Sequence, residues 1–289
     1  MKITPFSKIK DRRQDGAIYN GYLFSFNHLG ECTVYKIEDL KNCKKGEADA
    51  FSEFSLDKND LIVPHSNSVV FGKEFYSNED EFPLLYSNIY NNYSDAEDKL
   101  NGVCLVYRLQ REGNTFKTTL LQMIEIGFSE DKKLWKSEGE KEDARPYGNF
   151  VIDIESGKYY AYTMRDNSES TRYFAFDLPK VRDGELCEKY NVKKVTLEEK
   201  DILEYFDCDY HHFIQGGCCH KDKVYSLEGF GDDENNPPAI RVIDVESKKQ
   251  TAYQKFEDFG IKTEPEMIDF ENDICYYSDH HGNMYKLEF

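Results

Sequence analysis

The sequence predicts an all-β chain folded as a five-bladed β-propeller with four-stranded antiparallel blades. Three observations carry this. Short apolar segments separated by turn residues come in groups of four, and the group recurs along the chain. Aromatics make up 15% of the residues, with 21 Tyr and 20 Phe against one Trp, a composition that suits pleated, half-buried surfaces. The last group stops one strand short at Phe289, while a weakly alternating segment, Lys2–Lys10, precedes the first group.

The first group reads as Ala17–Tyr19, Gly21–Asn27, Glu31–Ile37 and Ala50–Leu56. The second reads as Ser66–Gly72, Pro83–Tyr90, Gly102–Gln110 and Lys117–Ile126. The third, Gly148–Ile154, Lys158–Thr163, Arg172–Leu178 and Val192–Leu197, and the fourth, His212–Cys219, Lys223–Gly229, Ala239–Val245 and Gln250–Phe256, are the most regular. The fifth has only Glu266–Glu271, Ile274–Ser278 and Asn283–Phe289. A blade left with three strands exposes an unpaired edge. Lys2–Lys10, with Ile3, Phe6 and Ile9 in alternation, is therefore expected to supply its outer strand and close the ring. Six blades is the alternative, since the step from Ser66 to Gly148 is long, at about 82 residues.

Turns such as Glu155-Ser156-Gly157-Lys158 and His281-Gly282-Asn283 carry residues that tolerate positive φ. Two insertions break the regularity. Ser129–Ala144 is charged and expected to be helical or looped around Leu134-Trp135. Leu197–Phe206 reads as a short helix, because Leu197, Ile202, Leu203 and Phe206 can share a face. Asp232–Pro238 is a polar loop. No low-complexity linker divides the chain, so residues 1–289 read as one domain.

The net charge is −18, from 55 acidic and 37 basic residues. That argues against nucleic-acid and anionic-membrane partners. The start of the chain has no apolar stretch of signal-peptide length, and no segment approaches the ~20 apolar residues of a membrane helix. A soluble, cytoplasmic, acidic protein is expected. Its eight cysteines form no CxxC pair, and several alternate with apolar residues inside strands. They read as small buried hydrophobes in a reducing compartment.

In a propeller, the loops leading into the inner strands and those joining second to third strands share one mouth of the central channel. The inner-strand starts are unusually polar here. They bring Gln14 and Asp15, then His65 and Asn67, then Arg145, Tyr147 and Asn149, then His211, His212 and Gln215, and finally Glu264 and Glu266. Taken singly, such residues often bond free backbone groups beside the channel. Taken together, acid, base, amide, guanidinium and phenol groups at one opening suit a polar small molecule, above all a sugar. Glu264 and Glu266, two apart, would share a face of an extended strand and could divide acid and base roles. His212 and Glu266 are the candidate catalytic pair. No cofactor is expected; a divalent metal held by His211 or His212 with Glu266 and Asp15 is the alternative, on a spacing that matches no named metal motif. A second histidine pair, His280-His281, lies in the turn between the second and third strands of the last group and either reaches this mouth or sits exposed.

Glu264-Pro265-Glu266-Met267-Ile268-Asp269-Phe270, followed by Ile274-Cys275-Tyr276-Tyr277-Ser278-Asp279 and Gly282-Asn283-Met284-Tyr285, resembles the blade repeat of many bacterial β-propellers. His212–Glu228 looks like the same unit one blade earlier, so the resemblance covers about a quarter of the chain clearly. It implies the fold and no single activity, because such propellers include lactonases, glycan-processing enzymes and binding scaffolds. Five-bladed glycosidases carry three acidic residues on successive inner strands. Only Asp15 and Glu266 match that pattern, which counts against a glycosidase. The expected function is thus binding of a carbohydrate or sugar acid at the channel mouth. A hydrolase or lyase acting on a glycan or lactone there is the first alternative, and a protein-interaction scaffold using the acidic surface is the second.

Overall fold

Each group of alternating apolar segments forms one antiparallel sheet, and five sheets stand around a central channel in a computed structural model of the chain. The structure describes residues 1–43, 46–58, 61–62, 65–89, 100, 102–127, 149–163, 170–209, 211, 213–231 and 233–289. From the channel outward, blade 1 is Gly16–Tyr19, Tyr22–Phe26, Glu31–Lys36 and Ser52–Ser55. Blade 2 begins with Val69–Phe71, Leu85–Ile89, Val103–Glu112 and Thr115–Ile126. Blade 3 is Phe150–Asp153, Lys158–Thr163, Ser170–Asp177 and Glu204–Asp209, and blade 4 is Ile214–His220, Lys223–Glu228, Ala239–Asp244 and Lys249–Lys255. Blade 5 is Pro265–Glu271, Ile274–Asp279, Asn283–Glu288 and, outermost, Lys2–Lys8 from the other end of the chain.

The five-bladed reading and the closure by the N-terminal strand hold. Two expectations do not. Val192–Leu197 is not the outer strand of blade 3. It pairs in parallel with Thr115–Ile126 and, with Glu185–Cys187, widens blade 2 to six strands. The ion pair of Lys194 with Glu125, at 2.9 Å, joins the two strands side to side. Leu197–Phe206 is not a helix either. A short 3-10 turn, Glu199–Asp201, leads into the strand Glu204–Asp209, which takes the outer place in blade 3. The physical reason is that Leu203 and Tyr205 are exposed while Phe206 is buried, so the apolar residues serve a period of two rather than a helical face. A helix that was not expected, Ile37–Asn42, follows the third strand of blade 1 and buries Ile37 and Leu40. The insertion 129–144 lies outside the described residues. Among the described residues, no helix is long and apolar enough to cross a membrane.

Alternation leaves each blade with apolar side chains on both faces, and these meet the neighbouring blades. Phe24 and Phe26 pack on Phe71 and Leu85 between blades 1 and 2. Tyr86 and Val106 meet Phe150 and Phe174 between blades 2 and 3, and Tyr160 and Tyr173 meet Val224 and Ile243 between blades 3 and 4. Leu227 and Val242 meet Ile268 and Tyr277 between blades 4 and 5. The last interface closes the ring: Ile18, Leu23 and Tyr35 of blade 1 pack with Met267, Tyr276 and Met284 of blade 5, and Ile9, Ile37 and Leu40 cover them. Apolar burial at each interface is the main stabilising term.

Near the channel the inner strands crowd, and glycine is required. A Cβ on Gly216 would stand 2.1 Å from the Glu266 carbonyl oxygen and 2.8 Å from Asp15 Oδ1. Gly216-Gly217 therefore marks close backbone approach inside a strand.

Deleting Met1–Lys10 removes the outer strand of blade 5 together with Phe6 and the fully buried Ile9. The expected result is a loss of about 10 °C or more in Tm, at ~2–4 °C per kcal/mol for a chain of this size. Calorimetry or circular dichroism of the shortened chain checks this, and an unchanged Tm contradicts closure by this segment.

Candidate functional site

The channel mouth is assembled from the starts of the inner strands and from the loops between second and third strands. In blade 5, Glu264 precedes Pro265–Glu271, and His280 follows Ile274–Asp279 directly across the ladder. The His280 backbone N–H donates to the Glu264 carbonyl at 2.8 Å, which fixes the two side by side. Between Pro265 and Met267 the register shifts, so Glu266 is the extra residue of a β-bulge. Blade 4 has a shift in the equivalent place, between Ile214 and Gly217, which spans Gln215. Bulges re-aim side chains that simple alternation would send elsewhere.

These features bring five side chains together, Gln14, Gln215, Glu264, Glu266 and His280. Glu266 Oε1 accepts from Gln14 Nε2 at 3.2 Å and lies 3.0 Å from His280 Nδ1. Gln215 Nε2 donates to Glu264 Oε1 at 2.6 Å and to the Gly229 carbonyl at 3.1 Å. One ligand-type atom from each of Glu264, Glu266 and His280 lies within 4.8 Å of the others. Glu266 is fully buried, yet its Oε2 has no partner among the described residues, and Oδ1 of the fully buried Asp15 has none there either.

Burial raises the pKa of both carboxyls well above the ordinary carboxylate range. The neighbouring Glu264 and Asp279 add to the effect at Glu266. Asp15 is pulled back in part by backbone bonds from Val69 and Gly16. Glu264 is also raised by burial, with His280 and Gln215 opposing. Asp269, further down the same inner strand, is pushed up to about 7 by burial despite accepting backbone bonds from Ile18 and Phe270.

The other sequence candidates have different settings. Asp15 Oδ2 accepts from the Val69 N–H at 2.8 Å, tying blade 1 to blade 2. Asn67 is buried and bonded side chain to side chain with Asn88. Asn149 is buried and donates to Ser68 Oγ at 3.4 Å and to the Gln215 carbonyl at 3.2 Å. His65 faces His28, with ring centroids 6.4 Å apart, and burial first, then His28, pushes its pKa down to about 4. His211 is fully buried in a separate cluster. Its Nε2 lies 2.8 Å from the Tyr173 hydroxyl, and its Nδ1 lies 3.8 Å from Glu228, which pairs with the buried Arg241. Arg145, Tyr147 and His212 lie outside the described residues, and with them the expected Arg145–Glu266 approach. None of the eight cysteines forms a disulfide among the described residues, and burial raises the Cys104, Cys218 and Cys275 thiols well above their usual range.

Two residues at this mouth were not anticipated. Phe213 leads into the blade 4 inner strand with φ of 58°, a left-handed conformation that is uncommon for a bulky side chain. Its ring centroid lies 4.9 Å from that of Phe230, in the loop after the second strand, and the two rings are 45% and 49% exposed. The Gly229 N–H donates to the Phe213 carbonyl, and Gln215 bridges Gly229 to Glu264. The backbone that carries the aromatic pair is thus linked through Gly229 and Gln215 to Glu264. Its sequence signal was the loop Glu228-Gly229-Phe230, which occupies the place in blade 4 that His280 occupies in blade 5.

No family model and no curated protein matches this chain. Among solved structures, glutaminyl cyclase of Myxococcus xanthus aligns with 99% of this chain and 93% of its own, at 9% identity and a TM-score of 0.51. A GH43 β-1,3-galactosidase solved with galactodeoxynojirimycin aligns with 99% and 95%, at 7% identity and a TM-score of 0.46. BamB from Moraxella catarrhalis aligns with 95% and 71%, at 8% identity and a TM-score of 0.34. At these identities the likeness is one of fold alone.

The raised carboxyls set a sign for the pH dependence of stability. In an unfolded chain they titrate near 4. The folded protein holds protons there that the unfolded chain has released, so their contribution is full below that value and is lost as pH rises through the folded pKa. For Asp269 the window runs from about 4 to about 7. His65 acts oppositely, losing its contribution as pH falls from about 6.5 toward 4. The carboxyls Asp15, Glu264, Glu266 and Asp269 outnumber it. Thermal unfolding is therefore expected to give a Tm several degrees higher at about pH 5 than at about pH 8. A flat profile, or a maximum at the alkaline end, contradicts it.

Proposed function

We propose that this propeller binds a neutral carbohydrate at the channel mouth, between the Phe213–Phe230 pair and the Glu264–Glu266–His280–Gln215 group. The observation that supports it is the junction of the two. An exposed aromatic pair offers a face to the apolar side of a pyranose ring. Linked to it through Gly229 and Gln215, carboxyl, amide and imidazole groups offer both donors and acceptors for hydroxyls. Such a mixture of one apolar wall and a few convergent polar groups is typical of small-molecule sites. The strained backbone at Phe213 supports a ligand role, because such conformations persist where the surroundings enforce them. A neutral sugar suits the site better than a sugar acid, since the described members of the group include three carboxyls and no Lys or Arg to pair with an added anion.

A hydrolase or lyase at the same mouth is the second reading. Glu266 is fully buried with a raised pKa, and Glu264 is less buried and hydrogen-bonded to Gln215. Carboxyls in unlike environments are suited to divide acid and base roles. Among the described residues, His280 is the histidine beside Glu266.

Thermal-shift and calorimetric screening against neutral mono- and oligosaccharides, uronic acids and sialic acid tests the binding reading. At least one neutral sugar is expected to bind. Phe213→Ala with Phe230→Ala is expected to weaken that binding about tenfold, as for loss of an aromatic contact worth ~1.5 kcal/mol. Binding of acidic sugars alone, or of none, contradicts the proposal. Turnover of the bound sugar or of its aryl glycoside that is lost in Glu266→Gln selects the enzymatic reading.

A further inference from the structure

We propose that Glu264, Glu266 and His280 hold one divalent cation of the class that accepts mixed carboxylate and imidazole ligands, such as Mn2+ or Zn2+. The three potential donors come from a single blade and lie within 4.8 Å of one another. The backbone bond from His280 to Glu264 and the bulge at Glu266 fix their placement before any ion arrives. An independent observation also points to a ligand. Glu266 is fully buried, and its Oε2 has no partner among the described residues. An oxygen in that state costs free energy unless something satisfies it, and a cation does so directly.

The surroundings match what metal ligands need. Gln14 donates to Glu266 Oε1, and Gln215 donates to Glu264 Oε1 while anchored on the Gly229 carbonyl. Such outer partners orient ligating carboxylates. His280 Nδ1 lies 3.0 Å from Glu266 Oε1, so an imidazole that carries its proton on Nε2 presents the Nδ1 lone pair to an ion beside that carboxylate. His280 is part-exposed at the mouth, so an ion can enter, and three protein ligands leave coordination positions open. The mixed donor set favours a transition cation over Mg2+ or Ca2+, which prefer all-oxygen sites. The ion shares the mouth with the proposed carbohydrate but does not require it, so the two proposals fail separately.

The test uses the full chain, treated with chelator, desalted and titrated with Mn2+ by calorimetry. Mn2+ is chosen because thiols bind it weakly, which keeps the cysteine thiols out of the reading. One equivalent is expected to bind, with Ca2+ at least tenfold weaker. His280→Ala, at a part-exposed position, is expected to fold and to lose tenfold or more in affinity. Glu264→Gln is expected to do the same, with circular dichroism confirming that both variants are folded. Absence of saturable Mn2+ binding overturns the proposal, as does binding that both variants leave unchanged. Repeating the carbohydrate screen on chelated protein separates the outcomes: sugar binding without metal binding removes the ion alone, and metal binding without sugar binding removes the carbohydrate alone.

Discussion

The five inner strands meet around the channel without pairing with one another, and most of the structure near the axis answers to that constraint. A strand edge that faces another edge without a ladder leaves backbone N–H and C=O groups in need of partners. Side chains supply them. Asp15 reaches from blade 1 to the Val69 N–H of blade 2, and Asn149 of blade 3 links Ser68 of blade 2 to the Gln215 carbonyl of blade 4. Gln215 reaches Glu264 of blade 5, and Gln14 returns from blade 1 to Glu266. Lower down, Asp269 and Glu271 of blade 5 accept from the Ile18 and Gly21 N–H groups of blade 1. The result is a circle of side-chain bonds that passes through all five blades.

This circle explains why the inner-strand starts are polar, and it divides their work. Asn67 and Asn149 are largely used up by the scaffold, as is one oxygen of Asp15. What remains after that accounting is concentrated in blade 5 and its neighbours. Glu266 keeps a buried oxygen without a partner among the described residues, and His280 stands part-exposed beside it. Structural demand and ligand binding are therefore not rival explanations of one set of residues. They apply to different members of it.

Period-two alternation made the blades legible in the sequence, because one face after another must be apolar for the blades to pack. The incomplete last group made the closure legible. Alternation could not show the strand exchange in which Val192–Leu197 crosses to blade 2, because pairing partners are set by where the chain returns in space. It also misplaced Leu197–Phe206, where a few apolar residues fit a helical and an extended pattern equally well. At the site, the mouth positions of Gln215, Glu264 and Glu266 followed from strand order alone. The part played by His280 did not, because it depends on a cross-ladder contact. The bulges at Gln215 and Glu266 leave no mark in a residue pattern beyond a glycine or proline nearby.

Ring closure and site formation depend on one stretch of chain. After the outer strand of blade 5, the Ile9 N–H donates to the Gly282 carbonyl and the Arg12 N–H to the His280 carbonyl, each at 2.8 Å. Gly282 sits at φ of 75°, and a Cβ there would stand 2.3 Å from the Ile9 carbonyl oxygen, so this contact requires glycine. The same stretch then delivers Gln14 to Glu266 and Asp15 to Val69 before entering blade 1. The segment that closes the ring thereby braces the loop bearing His280 and supplies a partner to the buried glutamate. Loosening of the closure and distortion of the mouth are then one event, transmitted through bonded backbone rather than across the fold.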